Sequence, residues 1–345
     1  KQCFLQAARC SQYPIVGSAK MGLCFSRGKM PPHTAVQYGA ARPPTAADDV
    51  SASGETQQSG EFHKSFDSRL WLFTRSWQPR ETGIWATLMI VHGTVDHSGV
   101  YAELGKYLAS QGIAVFASDM RGWGRSDGEA LYVDSIDSFM GDIIADYDRI
   151  HSAEPYKHVK ARYLLGKSIG GLFAAWTVAE HSSKWTGLIG LSGAFQIDPS
   201  VKPSPAALMF VQALAACAPK FPFKQPFDPK LIVSDEEALE EWRQDPLVSR
   251  GKLTPGYILE MIHLQDALRE KLHDLALPVL MLWGTGDHVV TEAGHSLVLE
   301  SSKSSASQFF RYPNGFHNLL AEPKLKDSVT RDICEWMRKL SGNSA

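Results

Sequence analysis

The sequence predicts an α/β protein with a mainly parallel central sheet, helices on both faces and a helical insertion over the sheet. Two observations lead to this class. Short apolar runs rich in strand-forming residues alternate with helical patterns, and a proline-rich stretch interrupts the alternation once. Because such alternation produces βαβ units, the strands are expected to pair in parallel.

The elements follow one another from residue 69 onward. The first strand-like run covers residues 69–77. Later strands are predicted at 87–91, 113–118, 163–165, 187–191, 278–283 and 308–312. Helices are predicted at 101–110, 139–150, 169–181, 293–299 and 323–340.

Composition divides the chain into four segments. Residues 1–65 are rich in Ser, Ala, Gly, Pro and Gln, and we interpret them as a poorly ordered leader. Residues 66–194 and 273–345 form the two parts of the α/β core. Between them, the seven prolines at positions 199–229 separate helical fragments, so residues 195–272 are predicted to be a helical cap.

Bulk properties exclude several classes of protein. With 345 residues, 44% of them apolar, the chain can bury a full core without disulfide or metal cross-links. A net charge of −2 and the absence of a basic stripe argue against a nucleic-acid partner and favour a small or lipidic one. Five scattered cysteines fit a reducing, cytoplasmic location, and no apolar run reaches the roughly 20 residues of a membrane span. These properties do not indicate the oligomeric state.

The pattern Gly-x-Ser-x-Gly occurs twice, around Ser168 and around Ser126. A nucleophile elbow requires a strand, a tight turn and then a helix, with glycines where the backbones approach each other. Ser168 meets each requirement, whereas Ser126 lies in a loop flanked by charges. We therefore predict Ser168 as the nucleophile. The alternative is an ordinary tight turn between strand and helix.

A serine nucleophile needs a base, and the base needs an orienting carboxylate. Asp287 follows the strand at 278–283 in a Gly-Thr-Gly-Asp turn, and His317 lies between the last strand and the last helix. Either residue alone fits a structural role, but the order Ser, Asp, His matches a catalytic triad. The rival histidines are His288, His263 and His273.

An oxyanion hole is predicted from two backbone amides. Thr94 follows the strand at 87–91 and Ile169 follows Ser168, the positions from which these NH groups are normally supplied. The alternative is a plain strand-ending turn, and for the His92 side chain a buried structural role is preferred. This chemistry requires no metal and no organic cofactor.

These motifs together resemble the monoacylglycerol lipase and lysophospholipase family of the α/β-hydrolase fold. The resemblance covers residues 68–340 and includes the segments 91–101, 119–128, 166–171, 245–248, 284–288 and 315–317. It implies that the insertion is a cap and that Thr94 and Ile169 form the oxyanion hole.

Family members that cleave monoglycerides tend to carry an acidic and a basic side chain after His-Gly. This chain has Asp96, a candidate substrate contact, but Val100 at the basic position, and Lys167 replaces the usual His or Glu before the nucleophile.

The predicted function is a serine hydrolase that cleaves carboxylic esters of lipids, monoacylglycerols or lysophospholipids, through an acyl-enzyme on Ser168. One alternative is an esterase or acyltransferase for soluble or phenolic esters. Another is a hydrolase-fold module that binds ligands without catalysis.

Two further segments bear on substrate and location. The apolar cap segment that contains Phe210 and Phe221 is predicted either to pack as core or to guide lipid substrate from a membrane. In the second case the protein would associate peripherally with the membrane. Both phenylalanines are candidate substrate contacts. In the acid-free residues 1–47, the sequence from Met21 fits acylation at Gly22 and Cys24 if Met21 is the initiator. An organellar transit peptide and an uninformative tail are the alternatives.

Overall fold

The computed structural model describes residues 51–53, 56–80, 83–224 and 228–342. Within them the strands are β1 (Ser51–Ser53), β2 (Thr56–Lys64), β3 (Trp71–Pro79), β4 (Ala86–Val91), β5 (Ile113–Ser118), β6 (Ala161–Lys167), β7 (Gly187–Leu191), β8 (Val279–Gly284) and β9 (Gln308–Tyr312). The helices are α1 (Ala102–Ser110), α2 (Ile136–Ser152), α3 (Ile169–Glu180), α4 (Pro205–Cys217), α5 (Glu236–Gln244), α6 (Pro255–Lys271), α7 (Glu292–Ser301) and α8 (Lys326–Ser341).

The strands form one sheet in the order β1-β2-β3-β5-β4-β6-β7-β8-β9. The segment from β5 to β9 is parallel throughout, whereas β1, β2 and β3 pair antiparallel at one edge. The predicted α/β class with a mainly parallel sheet is therefore confirmed.

Helices cover both faces of the parallel sheet. All six residues of β4 are buried, as expected for a central strand whose two faces are both covered. Met89 and Val91 belong to the apolar layer under α2, α3, α6 and α7, whereas Leu88 and Ile90 belong to the layer under α1 and α8. The alternation of side chains along the strand thus supplies two cores from one run of six residues.

The edge strands correct one prediction. Residues 51–53 and 56–64 belong to the sheet, so the poorly ordered leader does not extend to residue 65. The prediction was wrong because β2 is polar. The strand lies near the edge of the sheet, and most of its side chains are partly exposed. Its Gln58 nevertheless accepts a 2.9 Å hydrogen bond from the buried Trp77 indole. Residues 1–50, including the acylation motif, lie outside the described residues.

Between β7 and β8 the described chain forms three helices, α4, α5 and α6, within the segment predicted as the cap, a name we keep for residues 195–272. Helix α6 packs against both α3 and α4. The Gln265 side-chain amide of α6 donates a 2.6 Å hydrogen bond to the Ala194 carbonyl. The cap is therefore joined to the core close to the carboxyl end of β7.

The parallel strands all point the same way, so the loops that follow β4, β6, β8 and β9 meet at one edge of the sheet. These loops carry Thr94, Ser168, Asp287 and His317. The topology thus brings together residues separated by more than two hundred positions in the chain.

Candidate active site

Ser168 stands at the junction of β6 and α3 with a backbone φ of 53° and ψ of −122°. A positive φ is unfavourable for a residue that carries a Cβ, so the surroundings must hold the conformation. The Ser168 amide donates to the Leu191 carbonyl at 3.1 Å, and its own carbonyl accepts from the amides of Gly171 and Ala194 at 2.9 and 2.8 Å. These bonds fix the sharp turn that places the hydroxyl at the edge of the sheet.

Gly170 allows α3 to approach the sheet at this turn. A Cβ placed on Gly170 would lie 2.1 Å from the Val91 carbonyl oxygen, and one on Gly166 would lie 2.3 Å from the Gly170 oxygen. Both contacts are with backbone, which cannot move aside as a flexible side chain can. The elbow geometry therefore requires glycine at these two positions.

Three side chains form a continuous hydrogen-bonded chain. The Ser168 hydroxyl lies 2.9 Å from His317 Nε2, and His317 Nδ1 lies 2.8 Å from Asp287 Oδ2. All three residues are buried. Because a carboxylate only accepts hydrogen bonds, Asp287 selects the tautomer with the proton on Nδ1 and leaves Nε2 free to accept from the serine.

Backbone amides of its own loop hold the second oxygen of Asp287. Oδ1 accepts from the Val289 and Val290 amides at 2.8 and 3.1 Å. Both carboxylate oxygens are thus hydrogen bonded, as a buried charge requires. The turn after β8 therefore holds Asp287 in the orientation in which it binds His317.

The amides of Thr94 and Ile169 are available on the same side of the sheet. Ile169 is the first residue of α3, where a helix leaves its amides without intrahelical partners. Among the described residues, neither amide donates a hydrogen bond. The Thr94 hydroxyl is paired at 2.7 Å with the Tyr257 hydroxyl of α6, and the Trp123 indole donates to the Thr94 carbonyl. Thr94 is thus fixed from both the core and the cap.

The other candidate serine and His92 make structural hydrogen bonds, and the rival histidines lie on the surface. The buried Ser126 hydroxyl donates to the Asp119 carbonyl at 2.6 Å and accepts from the Phe73 amide at 2.9 Å. The side chain of the buried His92 accepts from the Met120 amide at 2.9 Å and lies 2.8 Å from the Gly93 carbonyl. The rival histidines at positions 263, 273 and 288 are exposed.

A buried ion pair adjoins the elbow. Lys167 Nζ lies 2.8 Å from Asp96 Oδ2, with side chains 3% and 5% exposed. Burial acts to raise the pKa of Asp96, but the charge and hydrogen bond of Lys167, together with His92 and His97, outweigh it and the pKa is lowered overall. Sequence reasoning named Asp96 as a substrate contact and Lys167 only as a departure from the family. It missed their pairing because they are separated by 71 positions.

A cavity of about 810 Å³ borders this ion pair. Lys167 and Asn318, the neighbours of Ser168 and His317 in the chain, are part of its wall. The other walls come from α1, from the α5 region of the cap and from residues near α8. Six carboxylates line it against three cations, the carboxylates being Glu103, Asp235, Glu237, Glu241, Asp245 and Asp327. The wall of this cavity therefore carries an excess of negative charge.

Phe210 and Phe221 are 58% and 43% exposed on the surface of the cap. That they contact substrate stays a prediction. An apolar run without a strong one-sided pattern does not indicate which side chains face inward.

Comparisons with known proteins were consistent with this geometry. A family model described as serine aminopeptidase, S33, matches residues 84–324. The chain is 28% identical over 272 residues to the Homo sapiens protein named monoglyceride lipase, covering 77% of this chain and 86% of that one. It is 29% identical over 273 residues to Arabidopsis thaliana caffeoylshikimate esterase, covering 77% and 81%. The Paleococcus ferrophilus monoacylglycerol lipase structure superposes with a TM-score of 0.69 at 23% identity, over 79% of this chain and 99% of that one. The resemblance that the motifs predicted is confirmed.

Replacing Gly170 with alanine tests the elbow. We expect Gly170→Ala to destabilise the protein by about 1–3 kcal/mol or more, because its Cβ would overlap the Val91 carbonyl. The matched control is Gly83→Ala, where a Cβ meets nothing within 4 Å and the change should stay within about 0.5 kcal/mol. Urea denaturation of both variants measures the difference. Equal midpoints would contradict the proposed role of Gly170.

Proposed function

The chain belongs to the serine aminopeptidase S33 family, and from this membership and the site geometry we propose that it is a serine hydrolase of lipid carboxylic esters, monoacylglycerols or lysophospholipids. The observation that carries the proposal is the buried chain of hydrogen bonds from Ser168 through His317 to Asp287. This arrangement matches the nucleophile, base and orienting carboxylate of acyl-transfer enzymes.

Acylation uses each member of the triad. Ser168 Oγ attacks the ester carbonyl carbon while its proton passes to His317 Nε2, and the Ser–acyl bond forms. His317 then gives that proton to the alkoxide oxygen as the bond between acyl carbon and alcohol oxygen breaks. Asp287 stabilises the imidazolium through Nδ1–H without taking the proton.

Deacylation repeats the sequence with water. His317 accepts a proton from the water that attacks the acyl carbon, and the carboxylic acid leaves as Ser168 recovers its proton. In both steps we propose that the Thr94 and Ile169 amides donate to the negatively charged carbonyl oxygen. Loss of one such donor typically costs about 2.7–4 kcal/mol of transition-state stabilisation.

A second candidate is an esterase for phenolic esters. The similarity to caffeoylshikimate esterase, whose name specifies a caffeic acid ester, favours this candidate. An acyltransferase would share the acyl-enzyme and differ only in the acceptor. Comparing hydrolysis of a monoacylglycerol with that of a caffeoyl ester separates the first two candidates.

Exposed apolar side chains on the cap suggest how the enzyme would reach a lipid substrate in a membrane. Helix α4 contains no charged residue, and only its Val211 is buried. Met209 and Phe210 are 70% and 58% exposed, and the Phe210 ring contacts that of Phe223 with centroids 5.9 Å apart. No helix among the described residues is long and apolar enough to cross a bilayer. We propose that α4 instead contacts the membrane surface peripherally.

Acylation at Gly22 and Cys24 would add to this contact. A single myristoyl chain binds membranes only marginally, so a second acyl chain or an apolar surface is needed for stable attachment. Loss of membrane localisation in Gly22→Ala, for a chain initiated at Met21, would support acylation. An unchanged distribution would exclude it.

Ser168→Ala should abolish ester hydrolysis and labelling by a fluorophosphonate probe, because the hydroxyl is the attacking group. Activity on a short p-nitrophenyl ester is the measurement, and only an about 10³-fold to 10⁴-fold acceleration over water should remain. The matched control is Ser126→Ala, which removes two hydrogen bonds and should lower stability but preserve labelling. Near-normal turnover by Ser168→Ala would rule out the assignment.

Replacing Met209 and Phe210 with serine should weaken sedimentation with phospholipid vesicles while hydrolysis of a soluble ester continues, since both side chains are exposed on the surface of the cap. Loss of two exposed apolar side chains should reduce vesicle affinity by about tenfold or more. Phe66→Ser is the control, because Phe66 is 48% exposed and lies outside the cap. A similar loss of vesicle binding in the control would argue against a specific role for α4.

A further inference from the structure

The proposed mechanism uses the backbone amide of Thr94 but not its side-chain hydroxyl. Thr94 is only 5% exposed. The residue before it adjoins the nucleophile, because a Cβ placed on Gly93 would lie 3.3 Å from Ser168 Cβ. The hydroxyl is therefore a buried polar group close to the reacting atoms, and its hydrogen bonds show what it can do there.

The peptide that joins Gly93 to Thr94 is held through its carbonyl. The Gly93 oxygen accepts from the Asp96 amide at 3.2 Å and lies 2.8 Å from His92 Nδ1. That nitrogen carries a proton, because His92 Nε2 accepts from the Met120 amide at 2.9 Å. The N–H and C=O groups of a trans peptide point in opposite directions. The Thr94 amide consequently faces away from both donors and is free to bind a substrate oxygen.

The hydroxyls of Thr94 and Tyr257 have one more proton than their hydrogen bond uses. They lie 2.7 Å apart, and among the described residues neither hydroxyl has another hydrogen-bond partner. Each hydroxyl carries one proton, so a single bond between them uses one of the two. One O–H donor therefore remains beside the predicted oxyanion hole without an acceptor in the described part of the protein.

Chemistry favours Tyr257 as the donor within this pair. Burial raises the pKa of Tyr257, so the phenol keeps its proton. A phenol is also more acidic than an aliphatic hydroxyl and is the stronger donor of the two. When Tyr257 donates to Thr94 Oγ1, the remaining proton is that of Thr94. The amide nitrogen and Oγ1 of Thr94 are three covalent bonds apart, so both donors can converge on one oxygen atom.

We propose that the Thr94 hydroxyl, held by Tyr257, donates a third hydrogen bond to the substrate carbonyl oxygen as negative charge develops on it. Thr94 is then a catalytic residue through its side chain as well as its amide, and Tyr257 is a positioning residue. Hydrogen bonds in a chain polarise one another, so the bond from Tyr257 strengthens the donation by Thr94. The Thr94 proton stays on Oγ1 throughout. This inference rests on the proposed function, because it concerns the same acyl transfer.

Thr94→Val is the first test, because valine keeps the amide and removes only the hydroxyl. We expect kcat for ethyl decanoate to fall by about 10²-fold to 10³-fold with little change in KM, since the oxyanion forms only in the transition state. Thr94→Ser keeps a hydroxyl and should retain most of the activity. The matched control is Thr177→Val in α3, where the buried hydroxyl donates to the Phe173 carbonyl at 2.7 Å. The control should leave kcat unchanged, and an unchanged kcat in Thr94→Val would overturn the proposal.

A sulfur substitution in the substrate separates an oxyanion donor from a residue that only supports the fold. Sulfur is a weak acceptor, so the wild-type protein should have a higher kcat/KM for ethyl decanoate than for its thiono analogue, in which the carbonyl oxygen is sulfur. Thr94→Val should reduce this preference by about tenfold or more, as for a lost hydrogen bond to a charged group. A defect in folding lowers the turnover of both esters alike and leaves the ratio unchanged. An unchanged ratio in Thr94→Val would therefore contradict the proposal.

Tyr257→Phe tests the positioning role. We expect a fall in kcat of about tenfold, smaller than in Thr94→Val, because one hydrogen bond between neutral groups is lost. The double variant removes both hydroxyls and leaves neither unpaired, so it replaces Thr94→Val if that variant does not fold. Tyr163→Phe is the control, since the Tyr163 hydroxyl donates to the Met337 carbonyl of α8 at 3.0 Å.

The outcomes for the two variants distinguish the proposal from its failure. A larger loss of kcat in Tyr257→Phe than in Thr94→Val would place the remaining proton on Tyr257 and overturn the assignment to Thr94. An equal loss in the Tyr163→Phe control would reduce the role of Tyr257 to general support of the fold and overturn its positioning role. If the wild-type protein hydrolysed neither ethyl decanoate nor 1-decanoylglycerol, the proposed function itself would be wrong.

Discussion

The close approach of α3 to the sheet at Ser168 is the constraint on which the rest of the site depends. The serine holds a positive φ because its amide is bonded to β7 and its carbonyl accepts from Gly171 of α3 and from Ala194, and because Gly166 and Gly170 present no Cβ to the backbone. That turn places the hydroxyl at the sheet edge and leaves the Ile169 amide without a helical acceptor. One local geometry therefore accounts for both the proposed nucleophile and one proposed oxyanion donor.

The parallel sheet supplies the remaining groups. The carboxyl ends of β4, β8 and β9 lie at the same edge of the sheet as that of β6, so short loops deliver Thr94, Asp287 and His317 to this edge. Each loop is held by its own hydrogen bonds, such as those from Val289 and Val290 to Asp287. The three triad side chains are thus attached next to strand ends. This attachment holds the buried polar groups at hydrogen-bonding distance from one another.

The sequence predicted those parts of the molecule that have a local signature. The α/β class, the elbow and the chain order of Ser168, Asp287 and His317 can all be inferred from motifs and from the elements next to them. The polar edge strand β2 lacked an apolar period, and the direction of Phe210 on an apolar helix depends on packing. The bond between Lys167 and Asp96 depends on the parallel pairing of β4 with β6, a long-range contact that no local pattern encodes.

The position of the Thr94 amide depends on contacts between the cap and the loop after β4. The Tyr257 hydroxyl of α6 is paired with Thr94, and His97 Nε2 lies 2.8 Å from Asp245 Oδ2 near the end of α5. The same loop carries Asp96, which holds Lys167. These two bonds connect segment 195–272 to the loop after β4. The segment therefore takes part in positioning the loop that contains the Thr94 amide.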